Sequence, residues 1–368
     1  MRIGIDARFW DETGVGRYIR NLVKELQKID TTNDYVLFVL PKNYNEIASM
    51  LDDPRWKVVS TPIAWHSLAE QRKFPSLLNL EQLDLMHFTY FSIPILYRKP
   101  FVVTIHDLIL HHFPTGEATT LPRPFYYGKL LAYKAVIADA ARKAQKIITV
   151  SQATKNEIID HLHVTPEKIE VIYEGFSLQE KKRQRANTYG NYFLHVGNVY
   201  PHKNAKRLVD AFLKLNRPET KLIFVGKKDH FMQDLENYAH AAKNVVFTGF
   251  VDDEELASLY SHALATVVPS LMEGFGLPVV EAMANGSLVL ASAIPSLQEV
   301  AKDAAIFFDP LDIADISAKM RTIVESDPKR FAQLCKKGTL LARQFSWEKM
   351  ARATLKIYES SISIRQGQ

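Results

Sequence analysis

The sequence predicts an α/β protein built of two Rossmann-like, doubly wound domains. Three observations carry that reading. Short apolar runs alternate with longer amphipathic stretches along almost the whole chain. One polar, highly charged stretch near the middle interrupts the alternation. A chain of 368 residues is also long enough for two domains at about 150 residues each. Strand, helix, strand in repetition folds as a parallel sheet with helices on both faces.

In chain order, Arg2 to Ile5 reads as a strand and Gly16 to Ile29 as an amphipathic helix. Tyr35 to Leu40, Leu83 to Phe88, Phe101 to Ile105 and Lys146 to Val150 are further buried-strand runs. Thr154 and Glu157 have the spacing of a capping box for the helix after the last of these. Ser177 to Asn191 contains Glu180-Lys181-Lys182-Arg183-Gln184-Arg185 without apolar periodicity and reads as a linker. A second series begins at Tyr192–Val196 and continues with Lys221–Val225, Val245–Phe247, Ala265–Val268 and Leu288–Ala291. The last 30 residues look helical. The domains are thus expected at 1–176 and 192–345, with a linker at 177–191 and a terminal helix at 346–368. Tandem domains of this kind leave a cleft, and ligands of open parallel sheets sit at the C-terminal ends of strands.

Composition narrows the class. The 47% hydrophobic and 24% charged fractions exclude a disordered or collagen-like chain. The single Cys335 excludes a disulfide framework and a cysteine-rich zinc site, and suits a reducing compartment. No apolar run reaches the roughly 18 residues of a membrane span, and the N-terminus lacks a secretory apolar stretch. A soluble cytoplasmic protein is expected. The net charge of +5 favours an anionic partner such as a nucleotide or a membrane surface, and is too small to argue for nucleic acid.

The motifs just after strands carry the functional weight. Glu273-Gly274-Phe275-Gly276-Leu277-Pro278-Val279-Val280-Glu281 follows a strand and runs into a helix. Its glycines let backbone approach a ligand, and N–H groups at a helix start favour phosphate. Glu273 and Glu281 place one carboxylate before the turn and one inside the first helical turn, where carboxylates suit sugar hydroxyls; a helix cap with a dipole-complementing Glu281 is the plainer reading. His195-Val196-Gly197-Asn198, followed by Pro201-His202-Lys203-Asn204, ends the first strand of the second series, and Lys203 suits a diphosphate. Thr104-Ile105-His106-Asp107 brings His106 to a strand end, where it is either a site residue or a hydrogen-bonded structural histidine. His111 and His112 read as loop residues; His106, His111 and His112 match no metal-ligand spacing, and no metal is expected.

Thr13-Gly14-Val15-Gly16-Arg17 opens the first helix but lacks the third glycine of a dinucleotide fingerprint. Asp252 and Asp253 read as a helix cap rather than a metal site. Between Leu121 and Lys146, Arg123, Lys129, Lys134, Arg142, Lys143 and Lys146 interleave with Phe125, Tyr126, Tyr127, Leu130, Leu131 and Tyr133. That pattern suits either anionic lipid or a core-packing helix with a solvated basic face.

Glu273 and Glu281 match the E-x7-E motif, and on it the chain resembles the large family of retaining glycosyltransferases with the GT-B fold, over nearly its whole length. The resemblance implies two Rossmann-like domains with a C-terminal helix crossing back to the first. It implies that Glu273 holds donor-sugar hydroxyls, that Glu281 binds the nucleotide ribose, and that backbone at Phe275, Gly276 and Leu277 contacts the donor. It also implies that backbone at Phe250 and Val251 reads the base, that the loop at Gly16 lies over the phosphates, and that His106 meets the donor sugar. Where the family has an Arg after the glycine, this chain has Asn198, which resembles a variant found among mannosyltransferases; His202 or Arg207 then supplies a second cation, or another group does. The implied activity is metal-independent transfer of a hexose, best mannose from GDP-mannose, to a saccharide or lipid-linked saccharide of a cell-surface polysaccharide. The nucleotide-sugar is a substrate, so no cofactor is expected. A sugar-nucleotide epimerase of the same fold and a non-enzymatic nucleotide-sugar-binding protein remain alternatives. A phosphorylase fits less well, because no lysine is recognisably placed for pyridoxal phosphate.

Overall fold

The structure, a computed structural model, describes residues 1–116, 122–176 and 186–366. The described residues form two compact units: 1–116, 122–175 and 347–366 make the first, and 176 with 186–346 the second. Leu121, residues 177–185 of the expected linker and residues 367–368 lie outside the described residues.

The first unit is built on seven parallel strands: β1 (Arg2–Asp6), β2 (Asp34–Val39), β3 (Trp56–Ser60), β4 (Leu85–Phe88), β5 (Phe101–Ile105), β6 (Ile147–Thr149) and β7 (Ile169–Val171). Their order is β3-β2-β1-β4-β5-β6-β7. Internal strands are covered on both faces, which is why β2 and β5 read as unbroken apolar runs in the sequence. The helix Gly14–Ile29 buries Tyr18, Ile19, Leu22, Val23 and Leu26, the three- and four-residue spacing of one helical face. The chain returns to this unit at its end. The helix Trp347–Gln366 packs on Gly14–Ile29 and inserts Tyr358 into the core. There the His87 ring bonds Tyr358 Oη through Nδ1 at 2.6 Å and Thr104 Oγ1 through Nε2 at 2.8 Å. Burial drives the His87 pKa down to about 3, so the ring is neutral and links the two hydroxyls.

The second unit has six parallel strands: β8 (Tyr192–Val196), β9 (Lys221–Val225), β10 (Val245–Gly249), β11 (Ala265–Val268), β12 (Val289–Ser292) and β13 (Ala305–Phe308). Their order is β10-β9-β8-β11-β12-β13. The chain winds outward one way from β8 and the other way from β11. The C-terminal ends of that adjacent pair are therefore the topological switch point of the sheet. In the first sheet the corresponding pair is β1 and β4.

Some local readings need correction. Strands β3, β7 and β13 were not anticipated; each lies at a sheet edge, and β3 and β13 are half exposed. The helix Gln152–Leu162 is capped by Ser151, whose side chain accepts from the Thr154 N–H, so the cap lies three residues before the Thr154–Glu157 pair. His111 and His112 belong to the helical turn Ile109–His112 rather than to a loop. Asp252 does cap a helix: its side chain accepts from the Glu255 N–H.

Candidate functional site

The strongest constellation lies at the switch point of the second sheet. Lys203 follows β8 and Glu273 follows β11. Lys203 Nζ donates to both carboxylate oxygens of Glu273 at 2.7 Å, and Ser270 Oγ donates to Oε1 at 2.6 Å. The carboxylate is buried and the lysine nearly so. Burial pushes the Glu273 pKa up, but the Lys203 charge and the hydrogen bonds from Lys203 and Ser270 outweigh it and hold the group below its ordinary value. Glu273 is thus an ionised carboxylate with both oxygens engaged.

Asn204 holds the Lys203 loop in place. It sits in the left-handed region at φ 60° and donates through its amide to the carbonyls of Pro269 (3.0 Å) and Pro310 (2.8 Å). The Leu271 N–H donates to the carbonyl of His202, so the two loops are also joined through backbone. His202 adds no second charge to the Lys203–Glu273 pair as it stands here. Burial lowers its pKa to about 4, with Lys203 repelling a further charge, and the ring is neutral near pH 7. Arg207 donates to Asn204 Oδ1. Asn198, in the adjacent turn, has its Oδ1 buried with no hydrogen-bond partner.

After Glu273 the chain turns at Gly276, with φ 96°, and enters the helix Leu277–Ala284. A Cβ at Gly276 would lie 2.4 Å from Leu297 Cδ2, the movable end of a side chain, so it is the left-handed conformation that demands glycine. Pro278 occupies the first turn, where a missing N–H costs nothing. Glu281 is the fifth residue of this helix, so it starts the second turn rather than lying in the first. It is buried and accepts from Tyr260 Oη at 2.8 Å. Phe275 is buried, whereas Phe250, after the left-handed Gly249, is 86% exposed, with Val251 beside it half-buried.

The first unit holds the remaining expected residues. Gly16 is buried, and a Cβ there would lie 2.4 Å from the Trp10 carbonyl oxygen. Its glycine is required by the loop's own backbone. His106 is buried at the end of β5. Its Nε2 donates to the carbonyl of Thr89 at 3.0 Å, its Nδ1 lies 3.3 Å from Glu174 Oε1, and the ring meets Tyr18 edge-on. Both ring nitrogens are therefore committed to protein groups. Ser270, Asn204, Tyr260 and Glu174 had no role assigned from sequence; all but Ser270, which serves Glu273 three residues on, act through a partner distant in the chain.

Comparison with known proteins places this geometry. Residues 177–360 match the family described as glycosyl transferases group 1, and residues 13–180 match glycosyltransferase family 4. The O-antigen chain mannosyltransferase RfbU of Salmonella typhimurium is 29% identical over 68% of each chain. The O-antigen chain mannosyltransferase B of Escherichia coli is 28% identical over 94% of this chain and 96% of its own. Among solved structures, a sucrose-phosphate synthase from Thermosynechococcus elongatus superposes with a TM-score of 0.81 at 21% identity, covering 99% of this chain and all of its own. WaaG, a glycosyltransferase of lipopolysaccharide biosynthesis, does so at 0.72 and 14%, covering 97% and 99%. The fold is that of the GT-B glycosyltransferases, and the chain belongs to the glycosyl transferases group 1 family.

Proposed function

We propose that the protein transfers a mannosyl unit from GDP-mannose, with retention of configuration, to a saccharide or lipid-linked saccharide during cell-surface polysaccharide synthesis. The observation that carries the reading is the Lys203–Glu273 pair at the switch point of the second sheet. One partner suits a diphosphate and the other suits sugar hydroxyls. The two relatives named above are both mannosyltransferases by name. The buried, unpartnered Asn198 Oδ1 in the turn after β8 fits a hydroxyl donor on the ligand.

In the reaction the bond from the anomeric carbon to the diphosphate oxygen breaks, and a bond from the acceptor oxygen to that carbon forms on the same face. The acceptor proton passes to a departing phosphate oxygen, and the nucleoside diphosphate leaves. Lys203 offsets the charge that grows on the leaving group. The helix start at Leu277 adds favourable dipole for phosphate. Glu273, held by Lys203 and Ser270, serves to orient sugar hydroxyls rather than to attack. Glu281, held by the Tyr260 hydroxyl, takes the ribose in this reading.

The test is incubation with GDP-mannose, UDP-glucose or UDP-N-acetylglucosamine and an oligosaccharide acceptor, with product anomeric configuration read by NMR. An α-mannoside made only when acceptor is present supports the reading. Conversion of donor without acceptor would instead mean an epimerase, and binding without turnover a sensor. The same assay in EDTA should keep its rate, because the proposed diphosphate contacts are Lys203 and helix-start N–H groups. A rate lost in EDTA and restored by magnesium or manganese overturns metal independence.

A lipid-linked acceptor also has a surface that suits it. The helix Arg123–Lys143 buries Tyr133, Ile137 and Ala140 on one stripe, and leaves Phe125, Tyr127 and Leu131 exposed at 70%, 55% and 70%. Lys129 and Lys134 are exposed among them. Arg142, Lys143 and Lys146 are each paired with Asp139 or Glu170, which offsets part of their charge. Apolar side chains beside lysines match an anionic bilayer surface. Phe125→Ser/Leu131→Ser should cut co-sedimentation with phosphatidylglycerol vesicles at least about fivefold, since each buried CH₂ is worth about 0.8 kcal/mol. Unchanged co-sedimentation would remove the membrane from this reading.

A further inference from the structure

Away from the Lys203–Glu273 pair, three metal-ligating side chains meet in the first unit. His112 ends the helical turn Ile109–His112, which follows β5. Glu157 and His161 lie on the helix Gln152–Leu162, which follows β6. Four residues apart, they share one helix face. His112 Nε2 contacts Glu157 Oε2, and His161 Nε2 lies 3.3 Å from the same oxygen. One ligand atom from each of the three falls within 4.8 Å of the others. We propose that His112, Glu157 and His161 form a zinc-binding site.

The chemistry of the donor set favours zinc. Two imidazoles and one carboxylate are a three-ligand zinc set, with water filling the fourth position. At metal–ligand distances of about 2.0–2.1 Å, a tetrahedron places neighbouring ligand atoms about 3.3–3.4 Å apart. His161 and Glu157 already stand at that spacing. His112 draws back from Glu157 to reach the same spacing, and the three ligand atoms, already within 4.8 Å of one another, close on the metal. The His112 and His161 rings lie 4.9 Å apart at 87°, so they are not stacked face to face and their nitrogens can converge on one point. All three side chains are one-third or more exposed, which leaves an entry path and room for water.

The surroundings tolerate the site. His111, next in chain, turns its ring toward another partner. Its Nδ1 is engaged with Tyr133 Oη at 2.7 Å, so it supports the turn rather than competing for metal. Bound zinc would staple the segment that follows His106 to the helix that follows β6. The site therefore acts on the rigidity of the first unit and not on the donor chemistry.

The experiment is a titration of the full chain with zinc chloride after chelator treatment and dialysis, followed by calorimetry. One zinc per chain is expected, with a melting temperature about 5 °C higher at a hundredfold excess over Kd. Glu157→Gln, His112→Ala and His161→Ala should each weaken that site about a hundredfold or more, beyond the loss typical of an outer-shell change. His230→Ala is the control. His230 and Asp234 form an exposed pair at 3.4 Å with two ligands only, and its loss should change nothing. Cobalt(II) in the unaltered chain should show the intense visible bands of a tetrahedral site. Zinc affinity unchanged in the three variants, or only weak octahedral cobalt bands in the unaltered chain, overturns the proposal.

Discussion

Replacing Glu273 with Gln should cut kcat by about 10²–10³-fold, the cost of one well-placed electrostatic contact in a dry site. The variant keeps the size of the side chain and can still accept from Ser270 and Lys203 through its carbonyl oxygen, so it should remain folded. What it loses is the negative charge that orients sugar hydroxyls and balances Lys203. The loss should appear in kcat more than in the donor KM, because an orienting contact that tightens at the transition state is of that kind. The check is steady-state kinetics alongside circular dichroism on one preparation. A folded Glu273→Gln protein with a rate within threefold of the original would show that Glu273 is not part of the chemistry.

Lys203→Ala should fall as far in kcat/KM, about 10²–10³-fold, and it should also destabilise the second unit. Glu273 would then be a buried carboxylate without its counter-ion, which costs about 3–5 kcal/mol when a buried pair is broken from one side. The pH dependence changes sign. In the original protein the Glu273 pKa is depressed, so the pair contributes stability above the ordinary carboxylate range, and that contribution is lost as pH falls through the folded pKa. Without Lys203, burial dominates and raises the pKa. The ionised group then destabilises the native state at neutral pH, and acidification relieves it. Melting temperatures of the two proteins should converge as pH drops from 7 toward 4. Adding Glu273→Gln to Lys203→Ala should restore melting at neutral pH without restoring turnover. Parallel melting curves across that range would mean that the two groups are not energetically coupled.

Much of this architecture is written in local sequence. β5, β8, β9 and β11 follow from apolar runs because strands covered on both faces are apolar at all but one of their positions. Glu273 and Lys203 are legible for a related reason: each is a charged residue in the loop that follows such a strand and contains a glycine. Of the four edge strands only Val245–Gly249 is legible. Trp56–Ser60 is half exposed and carries a lysine, and Ile169–Val171 is three residues long. The supporting groups were invisible for another reason. Asn204 reaches Pro310, 106 residues away, and Tyr260 reaches Glu281 from a different helix. Glu174 meets His106 across the sheet, and Glu157 meets His112 the same way. No local spacing encodes such meetings; only the strand order brings them about.

The Tyr358–His87 bond has a consequence for how this chain is made. The first unit begins at the N-terminus, yet one of its core hydroxyls is supplied 271 residues after the histidine that it serves. Domains ordinarily fold in turn as synthesis proceeds. Here the earlier unit stays unfinished until the whole of the later one has been translated. During that interval the face of Gly14–Ile29 awaiting Trp347–Gln366 is uncovered, and His87 lacks its second partner. The nascent protein thus passes through a stage in which a completed second unit is tethered to an open first one. That stage is when holdase chaperones would find it, and a premature stop between residues 347 and 358 would leave an intact second unit attached to a first unit that cannot close its core.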